Sequence, residues 1–252
     1  MLNVFKMDMR RMLRSKAFFF CIVFMNLITG TMVIFDVVPS FAAVMGSGEG
    51  GSMDMMGSMM GIGMAFIIIG ILFALHTCGD FSSGFAKNIF TRHANPIRYF
   101  GGKLLSLAVT GTIMITVYML VSALLLAICG SSVALSGGIS GLLLFFIEKI
   151  FIIFAFAALI LLACLTTRKS VVGVIVAAVV AMGVLPMILS IAGDYLGLSL
   201  ISDIGKYTIS GLSGQANLVF SGSVFVTIII GSLIWTGLCA VLGNRAIKLK
   251  DI

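Results

Sequence analysis

The longest polar interruption in this very apolar chain runs from Asp80 to Lys103, DFSSGFAKNIFTRHANPIRYFGGK. It holds Lys87, Arg92, Arg98 and Lys103, four of the sixteen basic residues, interleaved with Phe81, Phe85, Ile89 and Phe90. Large apolar groups on a short helix act as knobs for a partner's groove, and charges such as Lys87 and Arg92 fix the register. That is docking chemistry rather than bond-making chemistry. The plainer alternative is a loop whose cations only set membrane orientation. Solvated loops seldom carry so many large apolar side chains, which favours docking.

Groups able to do catalysis are sparse elsewhere. Gly101-Gly102-Lys103 is followed by Leu104 and lacks the upstream glycine of a phosphate loop, so no cradle for ATP is expected. There is no HExxH and no nucleophile elbow with plausible partners. With only His76 and His93, a histidine metal centre is not expected, and His76 reads as a hydrogen-bonded packing residue rather than a proton relay. Cys21, Cys78, Cys129, Cys164 and Cys239 form no CxxC pair and read as small apolar residues between helices. Asp36 and Glu148 lie near the ends of apolar runs, so no line of buried acids of the kind proton-driven carriers use is expected. The expectation is a chain that is not an enzyme and binds no cofactor or metal of its own.

One methionine cluster stands out: Met53, Met55, Met56, Met59, Met60 and Met64. Thioethers are soft ligands suited to Cu(I). They also make a flexible apolar surface, the reading favoured where no His or Cys accompanies them. Met56, Met60 and Met64, with Asn26 in the first apolar run, are the candidates for a substrate path. Asn26 is otherwise expected to make an interhelical hydrogen bond.

The elements that position these residues follow from composition. The chain is 60% apolar and 10% charged, against about 25% charge in a soluble domain. The fold class expected is all-α integral membrane, with six transmembrane helices and an N-terminal amphipathic interfacial helix. In residues 1–16, Leu2, Phe5, Met9, Met12 and Leu13 recur at helical spacing, while Lys6, Arg10, Arg11 and Arg14 take the other side. Such a helix lies in the headgroup layer with its basic face toward anionic lipid. The spans are expected at 17–38, 56–78, 104–129, 142–165, 171–193 and 223–242. The first is longer than the core of a cleaved secretory signal. Pro186 is expected to kink the fifth. Glu148 and Lys149 are expected at the outer interface, with Lys149 snorkelling to water. Residues 79–103 form the inner loop and 194–222 an outer re-entrant segment.

All the basic residues except Lys149 and Lys206 fall on one side of this arrangement. That asymmetry puts both termini in the cytoplasm. It also accounts for the net charge of +7 without nucleic acid.

The pattern is familiar as a whole. A basic amphipathic segment, FKMDMRRMLRSKAFF, leads into the first span. The loop after the second span carries Asp80, Gly84, the stretch Phe85–Phe90, Pro96, Arg98, Gly102 and Lys103. A longer semi-apolar segment precedes the last span. This resembles the permease subunits of type-2 ABC exporters, and among them the permeases of bacteriocin and lantibiotic self-protection exporters. The resemblance implies a multi-pass protein of the bacterial cell membrane that pairs with a second permease subunit, identical or homologous. It implies two ABC ATPase subunits as partners, holding the ATP and Mg. It also implies a coupling helix at about 81–95, with Asp80, Phe81, Phe85, Lys87, Ile89, Phe90, Arg92 and Arg98 as coupling residues. The substrate implied is hydrophobic or amphipathic, such as a cationic antimicrobial peptide. Copper or another small substrate, or a carrier or channel working without ATP, are the alternatives.

Overall fold

In lipid a backbone must satisfy its own N–H and C=O groups, so long apolar runs become helices. The computed structural model describes residues 2–37, 63–82, 96–128, 138–197, 199–216 and 221–249, which are helical with short turns and no strand. The helices are α1 (Leu2–Leu13), α2 (Lys16–Val37), α3 (Met64–Ser82), α4 (Pro96–Ile128) and α5 (Gly138–Thr167). They continue with α6 (Ser170–Ala181), α7 (Val184–Leu196), α8 (Ser199–Lys206), α9 (Ile209–Gln215) and α10 (Gly222–Leu249).

Four of these, α3, α4, α5 and α10, are long and apolar enough to cross a membrane. The pair α6 and α7, bent by 52° at its break, makes a fifth candidate. In α2 the apolar stretch Lys16–Ile28 is too short to count by itself. Among the described residues there are therefore four to five candidate spans.

α5 is the central element, packed against α3, α4, α6, α9 and α10. Its Phe145, Ile153, Phe156, Ile160 and Leu161 are buried in the core. α3 and α6 pack antiparallel through small residues. A Cβ on Gly70 would lie 2.4 Å from the Ala177 Cβ, and one on Gly173 would lie 2.9 Å from the Ala74 Cβ. Small residues one turn apart on both helices thus bring the backbones together, the usual device of helix association in lipid.

The break in the fifth hydrophobic run is not at Pro186. It falls at Met182–Gly183, where Gly183 has φ +68° and ends α6 in a left-handed turn. Pro186 then sits in the first turn of α7, where a missing N–H costs nothing because first-turn N–H groups have no intrahelical partner.

Lys149 also differs from expectation. It lies eleven residues into α5, about 16 Å along the axis, and is fully buried instead of snorkelling. Its Nζ donates to the Ser213 carbonyl at 3.1 Å and the Ser213 Oγ at 3.3 Å, and lies 4.9 Å from the Phe145 ring centre. The reason is the 194–222 segment, where α8 and α9 fold back and α9 packs against α5 and α10. Thr208 caps α9, its Oγ1 accepting from Gly211 N at 3.1 Å. Trp235 Nε1 on α10 donates to the Tyr207 carbonyl at 2.9 Å. Glu148 is buried too, and its Oε2 has no hydrogen-bond partner among the described residues.

Candidate functional site

Helical spacing sets up three polar faces. On α3, His76 and Asp80 are one turn apart. On α4, Lys103, Ser106 and Thr110 follow at three and four. On α1, Asp8, Arg11 and Met12 share a side. The three faces meet where α1 packs against α4, beside the end of α3.

The result is a buried charge cluster. Lys103 Nζ donates to Asp8 Oδ1 at 3.0 Å and to Asp80 Oδ2 at 2.6 Å. His76 Nε2 lies 3.0 Å from Asp8 Oδ1, which makes Nε2 the protonated nitrogen. Ser106 Oγ donates to Asp8 Oδ2 at 2.5 Å. Arg11 pairs with Asp80, and its NH2 group stands 3.8 Å from Asp8 Oδ1. Asp8 is 2% exposed, Asp80 1% and Lys103 1%. Two carboxylates face the Lys103 ammonium and the Arg11 guanidinium. Buried charges persist only when paired and hydrogen-bonded in this way.

Asp8 lies outside the candidate spans. Burial alone would raise its pKa. The His76 hydrogen bond, the Lys103 charge and the Ser106 hydroxyl outweigh that and hold it well below the usual carboxylate range. Around the cluster, Thr110 Oγ1 donates to the Met12 Sδ at 3.3 Å, and Met12 is fully buried. This face of α1 is therefore fastened by ion pairs and by packing together.

Of the coupling candidates, Asp80 is in the cluster but belongs to the last turn of α3 rather than to a loop. Lys103 likewise belongs to α4, which begins at Pro96, so helix takes up much of the expected inner loop. Phe81 is half-buried against the core. Phe85, Lys87, Ile89, Phe90 and Arg92 lie outside the described residues, as does the side chain of Arg98. Of the N-terminal cations, Arg11 joins the cluster, while Lys6 and Arg10 are exposed on α1 and Arg14 in the turn after it. Asn26 Nδ2 donates to Ile22 O at 2.8 Å, a bond within its own helix rather than between helices. Its Oδ1 has no partner among the described residues. Met64 is exposed at the start of α3, and Met56 and Met60 lie outside the described residues.

Asp8 and Ser106 are the members that the sequence pattern did not single out. One signal was present. Asp8 is the only acid in the basic first sixteen residues, and it stands one turn before Met12, on the apolar side. A lone acid on the packing face of a basic helix needs a buried cation, and Lys103 is that cation.

The cluster can bear load but is badly placed to react. Its carboxylates are committed to donors, and Lys103 is committed to both carboxylates. Among the described residues no three His, Cys, Asp or Glu side chains are grouped to hold a metal ion. What the arrangement does is join three helices: α1, the end of α3 and the start of α4. No protein-family model, no curated protein and no solved structure matches this chain.

Proposed function

We propose that this chain is the membrane-spanning subunit of an ATP-driven ABC exporter, with six spans once α2 is counted and both termini in the cytoplasm. The observation that carries the reading is the Lys103–Asp80 pair. It ties together the two helix ends that flank residues 83–95, and Asp8 and Arg11 tie α1 to the same point. A push delivered to 83–95 by a docked ATPase reaches α1, α3 and α4 as one rigid unit. ATP and Mg belong to the two partner ATPase subunits, and a second permease subunit completes the pore. The substrate class that fits is hydrophobic or amphipathic, with a cationic antimicrobial peptide first and copper second.

The test is a pull-down in mild detergent from the native membrane. A separate chain bearing a phosphate loop, in roughly one-to-one ratio, is the expected result. Phe85→Ala and Ile89→Asp should each weaken its recovery while leaving membrane insertion intact. Recovery of the protein alone, or unchanged recovery with both variants, overturns the reading.

One observation favours a second reading, a carrier working without ATP. Glu148 and Lys149 are buried within the α5 span, and intramembrane ionisable groups are the usual carriers of coupled protons. Transport by the purified protein in vesicles lacking ATP would decide for it.

A further inference from the structure

An open groove along α1 is lined by Lys6, Met7, Arg10, Arg14 and Ser15, with Arg11 at its edge toward Asp8 and Asp80. Lys6 and Arg10, four apart, share one side of the helix, and Arg14 in the turn that follows lines the same groove. Among the described residues no acidic side chain lines the groove. The acid of this helix, Asp8, is turned inward and already occupied by His76, Lys103 and Ser106. Lys6, Arg10 and Arg14 have no ion-pair partner among the described residues, and such a row suits an anion.

The surroundings say which kind. Ser15 closes the groove and caps the start of α2, its Oγ accepting from Phe18 N at 3.2 Å. Immediately beyond, Phe19, Phe20 and Val23 are 59%, 69% and 64% exposed. Cations therefore border directly on bare aromatic and aliphatic surface. Met7, 43% exposed, adds an apolar contact inside the groove itself. A free phosphate or an acidic protein surface would use the cations and leave the phenyl rings uncovered. A phospholipid uses both, with its phosphate against Arg10 and Arg14 and its acyl chains over α2.

We infer that this groove is a discrete binding site for the phosphodiester headgroup of an anionic phospholipid, beyond the general attraction of a basic helix to a negative surface. The inference does not rest on an ATPase partner.

It is tested on the full-length protein, purified in detergent and followed by native mass spectrometry and thermal unfolding. The probes are phosphatidylglycerol, phosphatidylcholine and inorganic phosphate. Wild type should retain phosphatidylglycerol at least about tenfold better than phosphatidylcholine and unfold at a higher temperature in its presence. Inorganic phosphate at the same concentration should not displace it. Arg10→Gln with Arg14→Gln should abolish the preference and the thermal shift. Both residues are exposed, so the lipid-free melting temperature should be that of wild type. A second pair, Lys6→Gln with Arg14→Gln, should show the same loss. Equal retention of the two lipids, or full preference in both double variants, overturns the site. Displacement by inorganic phosphate reassigns it to a free anion. Retained lipid preference with loss of copurifying protein reassigns it to a protein contact. Either reassignment refutes the inference.

Discussion

Asp8 and Lys103 stand 95 residues apart in the chain and meet at 3.0 Å with both side chains buried. A contact of such sequence separation closes a long loop, and its benefit must offset that closure. It does so by removing a problem on each side. Asp8 without Lys103 would be a buried anion, and Lys103 without Asp8 and Asp80 would be a buried cation with no acceptor. Each needs the other because α1 has nowhere else to put Asp8 while its Met12 is fully buried.

Lys103→Met should be strongly destabilising. It leaves two buried carboxylates facing Arg11 alone, and removing one partner of a buried pair costs about 3–5 kcal/mol. Lys103→Met combined with Asp80→Asn restores the balance of charge and should recover part of the loss. Thermal unfolding of the detergent-solubilised variants checks this. A double variant no more stable than the single would show that packing, not charge, holds this point.

Asp8 should contribute an acid limb to the stability profile. Its folded pKa lies well below the ordinary value of 3.8, so its contribution is fully present above that value. It is lost as the pH falls from there toward the folded pKa. His76, Lys103, Arg11 and Ser106 are the groups that face it. Asp8→Asn should be less stable than wild type at neutral pH, and the gap should close as the pH drops below about 4. A gap independent of pH would mean that the carboxylate is not what α1 contributes.

How much of this was legible beforehand follows from the kind of signal. Apolar runs carry the helical class, because burying a backbone in lipid leaves little choice. The two end residues of the polar stretch Asp80–Lys103 pair with each other at 2.6 Å. The pairing itself was not legible, since nothing in local spacing says that Lys103 turns inward to Asp80 and Asp8. Charge near a helix end reads equally well as a solvated face. The same ambiguity misplaced Lys149, whose acceptor, Ser213, lies 64 residues away on a helix of only seven residues. At the break between α6 and α7, proline was the louder signal, but Gly183 supplies the left-handed turn.

Lys149→Met should loosen the α8–α9 segment without unfolding the bundle. A methionine fills similar volume and removes a buried charge, which limits the global cost. Locally, the Ser213 carbonyl loses a charged donor worth about 1.5–3 kcal/mol. Trp235 is the only tryptophan and bonds to the Tyr207 carbonyl of the same segment, so it reports without interference. Its emission should shift to the red and become more accessible to acrylamide than in wild type. Unchanged quenching would show that Thr208 and Trp235 alone seat α9.

The exporter reading makes a sharper demand on Asp80 than on the residues of 83–95. Those residues should govern whether an ATPase binds. Asp80 should govern whether its stroke arrives. Asp80→Asn keeps shape and one acceptor oxygen but weakens the hold on Lys103 and Arg11, so α3 and α4 can move apart under load. The expected phenotype is a complex that copurifies in normal ratio and hydrolyses ATP, yet transports several-fold less per ATP consumed. A tenfold loss of coupling would need only about 1.4 kcal/mol, within what weakening a buried charged hydrogen bond provides. ATP hydrolysis and substrate flux, measured side by side in proteoliposomes, separate the two roles. If flux per ATP in Asp80→Asn equals that of wild type, the cluster serves stability alone, and the force path must run through the far side of α4.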